Sequence, residues 1–102
     1  MVVSESDLVA AVTRDRAAGK RLGFTTIAFD LLRAHHVRAL HAAAAKSDRL
    51  VVAVVDDHAP HVVTLEDRAE LVDGLRGVDY VIVCSAERID RLAAILIPDV
   101  RA

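Results

Sequence analysis

Cysteine occurs once, at Cys84, in a chain of 102 residues. That excludes an intrachain disulfide framework and suits a reducing compartment. Tryptophan is absent and aromatics make up 3% of the chain, so there is little surface on which bases could stack. Neither sign of charge dominates. The net charge is −2 and the pI about 6.2, which gives no case for general nucleic-acid binding. Proline occurs twice and glycine four times, with no linker, repeat or low-complexity segment. No apolar run reaches the ~18 residues of a membrane span. The first residues lack the basic and apolar regions of a signal peptide. These absences predict a soluble, cytoplasmic protein with neither nucleic acid nor membrane as partner. What is present is apolar: 54% of residues are hydrophobic, enough for a packed core in one small domain, 1–102.

The periodicity alternates between helix and strand. A first helix is predicted from Asp7 to Ala18, capped by Ser4 or Ser6 and stopped by Gly19. Thr25, Thr26, Ile27 and Phe29 favour extended backbone, which predicts a strand over 22–28. From Ala34 the apolar spacing becomes helical, through Val37, Leu40, Ala43 and Ala44, to about Lys46. The unbroken apolar run at 49–55 reads as a strand buried on both faces. Thr64 and Asp67 make a capping-box-like start to a third helix, which Gly77 stops. A strand over 78–83 and a helix over 86–97, ended by Pro98, complete the chain. The order α-βα-βα-βα predicts an α/β, Rossmann-like parallel sheet of three main strands flanked by helices. Such folds place phosphates where a strand feeds a helix N-terminus, because free N–H groups and the positive end of the helix dipole meet there. His35 and His36 sit at that point.

The stretch Thr25-Thr26-Ile27-Ala28-Phe29-Asp30-Leu31-Leu32-Arg33-Ala34-His35-His36-Val37 resembles the T-N-G-x-F-D-L-L-H-A-G-H-V entry motif of nucleotidyltransferases with an HxGH signature. The similarity is to the cytidylyltransferase-like group, which includes the adenylyltransferase domain of ADP-heptose synthesis and glycerol-3-phosphate cytidylyltransferase. It extends through Asp57 after the second strand, Leu65-Glu66-Asp67-Arg68, Val78-Asp79-Tyr80-Val81 and Pro98-Asp99. The resemblance implies a nucleotidyltransferase fold cut short at its C-terminal side, since the family continues into a further strand and a Ser/Thr-rich phosphate motif.

The resemblance also implies chemistry: transfer of a nucleotidyl group from ATP or CTP, with Mg²⁺, to a sugar or polyol phosphate, releasing pyrophosphate. Catalysis of that kind is positioning plus cationic donors aimed at the phosphates. His36 takes the place of the second motif histidine and Arg33 that of the first, which makes these two the catalytic candidates. Thr25, Thr26, Phe29, His35, Asp57 and Arg68 take nucleotide- or phosphate-binding places. The departures are Ile27 and His35 where the family has glycine, Arg33 for histidine, Ala45 for a lysine, and Pro60-His61 for an Arg-Pro pair. His36 therefore reads either as a phosphate ligand or as a helix-face histidine bonded within the fold. Arg68 reads either as a triphosphate ligand or as a surface arginine. The i, i+3 spacing of His58 and His61 beside Asp57 is too weak a pattern to assign a metal. Cys84 has no base partner and reads as a small buried residue. Two readings follow. In one, the domain is a degenerate member that binds a nucleotide, a second copy or another protein. In the other, it is an active minimal transferase. A missing fourth strand would leave the edge of strand 22–28 bare except where residues 99–101 cover part of it, which predicts a homodimer or hetero-complex there.

Overall fold

The structure is a computed structural model describing residues 1–102. The first helix, α1 (Glu5–Ala17), starts two residues before the predicted position. Ser4 is the cap: its backbone is extended and its Oγ accepts the Asp7 N–H at 3.3 Å. Gly19, at φ +81°, takes the left-handed position that ends the helix. There follow β1 (Leu22–Ile27), α2 (Ala34–Ala44), β2 (Arg49–Asp56), α3 (Leu65–Asp73) and β3 (Tyr80–Ser85). A single 3₁₀ turn (Ala86–Arg88) leads into α4 (Ile89–Leu96), and β4 (Val100–Arg101) closes the order.

The sheet is parallel and its strand order is β3-β2-β1-β4. β2 is apolar from Leu50 to Val55, where both its faces are covered. Val51 and Ala53 pack with Leu8 of α1 and Leu92 and Leu96 of α4. Leu50, Val52 and Val54 pack on the opposite side with Leu40 of α2 and Val72 of α3. No helix is long and apolar enough to cross a membrane.

Three aspartates, each just ahead of a strand, tie that strand to its neighbour. Asp48 Oδ2 accepts the Arg21 N–H at 2.8 Å, while the Asp48 N–H donates to the Arg21 carbonyl at 3.0 Å. Asp79 makes the same pair of bonds with Leu50, at 2.8 and 3.1 Å. Asp99 makes it with Leu22, at 2.7 and 2.8 Å. Asp79 is thus engaged ahead of the strand, and β3 starts at Tyr80 rather than at Val78.

Several boundaries differ from the sequence expectation. Helix α3 ends at Asp73, and its cap Gly74 comes three residues before Gly77. The left-handed turn at Gly77 (φ +88°) belongs to the approach to β3. Helix α2 ends at Ala44, which leaves Lys46 in the following turn. Helix α4 stops at Leu96 because Ile97 adopts a left-handed conformation one residue before Pro98.

The larger correction concerns the sheet edge. β4 is a fourth strand, and it pairs with β1 at Gly23 and Phe24. The Ala102 N–H donates to the Phe24 carbonyl at 3.0 Å, and the Thr25 hydroxyl donates to the Ala102 carbonyl at 3.2 Å. The edge of strand 22–28 is therefore covered along its first half. A partner pairing there would have only Thr26 and Ile27 to extend. The outer edge of β3 is covered at Val81 by residues 1–3, through bonds of 2.8 and 2.9 Å.

Candidate functional site

β1 ends at Ile27 and α2 begins at Ala34. Between them opens a cleft of about 230 Å³, lined by Thr25, Thr26, Ile27, Ala28, His35, His36, Ala39 and Leu40. Four of the eight candidate residues, Thr25, Thr26, His35 and His36, thus meet in one place. Thr26 is exposed, whereas Thr25 is buried.

His36 is fixed from both sides. Arg33 is the N-cap of α2, with extended backbone at φ −119° and ψ 165°. An arginine side chain has no acceptor to offer as a cap. The His36 ring supplies one instead: Nδ1 accepts the Arg33 N–H at 3.0 Å. That bond assigns the proton of the neutral ring to Nε2. Burial, then His35, then Arg33 depress the His36 pKa below its ordinary value, so the neutral form is favoured. The His35 ring lies 4.0 Å from the His36 ring and the Phe29 ring 5.6 Å. Phe29 thus supports the site from the core rather than lining the cleft. The Arg33 side chain is exposed.

Arg68 is not a surface arginine. It is 3% exposed; its Nη1 donates to the Phe29 carbonyl at 3.3 Å, and its Nε has no partner. A buried guanidinium so sparsely bonded carries a desolvation cost that its contacts do not return. We expect Arg68→Met to leave the thermal midpoint unchanged or raise it. A loss of more than about 1 kcal/mol by thermal denaturation would show that the Phe29 bond outweighs desolvation.

Asp57 lies in the β2–α3 loop, outside the cleft lining. Its Oδ1 accepts the Ala59 N–H at 3.0 Å and faces His61 Nε2 at 2.8 Å. His61 Nδ1 faces Asp30 Oδ1 at 2.7 Å. The sequence flagged His61 through its spacing from His58 and as part of the Pro60-His61 departure, but the two histidines part company: His58 turns to Asp56 instead, at 3.5 Å. No group of three histidine, cysteine or acidic side chains is disposed to hold a metal ion. Burial pushes the Cys84 thiol pKa up, as suits an inert packing residue.

The family model for cytidylyltransferase-like proteins matches residues 24–101. The bifunctional protein HldE of Shewanella amazonensis is 38% identical over 106 residues, a match covering 96% of this chain and 22% of HldE. HldE of Halorhodospira halophila is 40% identical over 106 residues, with the same coverage. The chain thus spans 22% of the length of these curated relatives. Among solved structures, the lipopolysaccharide core biosynthesis protein of Thermoplasma volcanium superposes with a TM-score of 0.73 at 24% identity, over 81% of this chain and 73% of that one. This last likeness concerns the fold. The family match takes in the strand-to-helix cleft and every strand but the first two residues of β1, and on it the chain belongs to the cytidylyltransferase-like family.

Proposed function

We propose that this domain binds the phosphates of ATP or CTP, with Mg²⁺, at the β1–α2 cleft and transfers the nucleotidyl group weakly. The observation that carries the reading is the fixed tautomer of His36. With Nδ1 engaged by the Arg33 N–H, the Nε2–H is left as a donor at the N-terminus of α2, where backbone N–H groups also favour an anion. Weak transfer follows from the departures in the motif. Ile27 and His35 stand where the family has glycine, and a side chain there crowds the approach of backbone to phosphate.

Titration calorimetry with each nucleotide and Mg²⁺ tests this. Binding is expected in the wild type. His36→Ala is expected to weaken it about tenfold or more, because a hydrogen bond to a charged group is worth about 1.5–3 kcal/mol. Absence of binding to either nucleotide, or unchanged affinity in His36→Ala, would sink the reading.

A second reading, an active minimal transferase, draws on Arg33. Its exposed guanidinium presents a planar fork of donors that suits phosphate geometry. Release of pyrophosphate in the presence of a phosphorylated sugar or polyol would favour it. Association with a second copy or another subunit, and a cytoplasmic setting, remain part of the same proposal.

A further inference from the structure

His61 is the one side chain that joins the two loops at the C-terminal end of the sheet. Asp30 belongs to the β1–α2 loop and Asp57 to the β2–α3 loop. Both His61 ring nitrogens lie within 2.8 Å of a carboxylate oxygen, Nδ1 of Asp30 and Nε2 of Asp57. Its side chain is 13% exposed. An ionised carboxylate only accepts hydrogen bonds, and a neutral imidazole carries a single N–H. A neutral ring would therefore leave one nitrogen lone pair against a carboxylate. Only the imidazolium donates to both.

We propose that His61 is a positioning residue: as an imidazolium it ties Asp30 to Asp57 and holds the two loops together beside the β1–α2 cleft. The tie reaches the cleft through Phe29, which precedes Asp30, packs against the His36 ring and accepts the Arg68 guanidinium through its carbonyl. The functional part of this inference rests on the nucleotide-binding reading above.

The titratable groups facing His61 are Asp57 on its own loop, Asp30 on the β1–α2 loop and Arg68 on α3. The two carboxylates, Asp57 foremost, raise the His61 pKa above 6.5, and burial, then Arg68, oppose them. His61 in turn, followed by the Ala59 N–H, holds Asp57 below its ordinary 3.8. A raised histidine pKa contributes stability in full below the unfolded value near 6.5, and that contribution is lost as pH rises through the folded value. A lowered carboxylate pKa contributes stability above 3.8 that is lost as pH falls through the folded value. The tie is therefore intact from mildly acidic pH up to the raised His61 pKa and opens above it.

Two measurements test the proposal. The first is an NMR titration of the His61 ring in the ligand-free protein. The pKa is expected above the ordinary histidine value, with both ring nitrogens protonated below it. Asp30→Asn and Asp57→Asn are each expected to bring it down. An ordinary pKa, or one that neither substitution moves, overturns the tie. The second is nucleotide affinity from about pH 6 to about pH 9, in the wild type and in His61→Gln, with folding checked by circular dichroism. The wild type is expected to lose several-fold more affinity than the variant across that range. The comparison separates His61 from the titration of His36 and of the nucleotide itself. Parallel profiles would overturn the positioning role. A raised, carboxylate-dependent pKa with no nucleotide bound at any pH would leave the tie between loops standing and sink the nucleotide reading instead.

Discussion

The double variant Arg33→His/His35→Gly is expected to raise pyrophosphate release by about 10²-fold over the wild type, the scale of one restored transition-state donor. The two changes act on different defects of the proposed site. His35 sits on the first turn of α2 and lines the cleft, so glycine there opens space for a phosphate to approach the backbone. Arg33 is the exposed N-cap. A histidine there returns a compact donor three residues ahead of His36. Glycine in the first turn lowers helix stability by roughly 0.5–1 kcal/mol, so the variant is expected to melt slightly earlier while turning over faster. Release measured with ATP or CTP and a sugar phosphate settles the matter. Equal rates in wild type and variant would mean that these two substitutions are not what limits transfer.

Phe24→Ala is expected to cost about 3–5 kcal/mol, the range for a buried phenylalanine. Phe24 is 1% exposed in the middle of β1. It lies opposite Val51 on β2 and Arg101 on β4, and the Arg101 guanidinium sits 5.9 Å from its ring centroid. Removing the ring opens a cavity where both flanking strands and helices α1 and α4 converge. Total stability for a domain is about 5–15 kcal/mol, and each kcal/mol shifts the midpoint of a small domain by roughly 4–8 °C. The loss is therefore large on a thermal scan. Thr26→Ala, at the exposed position of the same strand, is expected to stay within about 0.5 kcal/mol. A Phe24→Ala cost near that of Thr26→Ala would mean the neighbouring side chains close over the gap.

The sequence announced its helices and long strands because their patterns are local. The apolar run of β2 and the 3.6-residue spacing of α2 need no knowledge of the partner element. β4 was not legible. It has two residues, and its existence depends on β1, 77 positions away through the Asp99–Leu22 bond. The start of β3 and the end of α3 went astray for a related reason: side-chain bonding by Asp79 and turn geometry at Gly77 outweighed propensity. At the site, the resemblance brought Thr25, Thr26, His35 and His36 to one cleft. It did not foresee that Arg68 would be buried beneath Phe29, because a charge beside Glu66 and Asp67 reads as solvated. Nor did the spacing of His61 reveal two carboxylate partners, one of them 31 residues distant.

An apolar strand such as β2 has a hidden degeneracy. Sliding it by two residues against β1 or β3 returns every side chain to the same face, and Leu50, Val52 and Val54 would still meet an oily surface. Burial alone therefore provides adhesion without an address. The aspartates ahead of β2, β3 and β4 supply the address. Each carboxylate meets a particular N–H, and each aspartate's own N–H a particular carbonyl. A slipped alignment would break both bonds and set a charge against unmatched backbone. Asp48, Asp79 and Asp99 thus act as detents on an otherwise smooth sheet, and they keep the far end of β1, where the cleft opens, level with the helix that caps it.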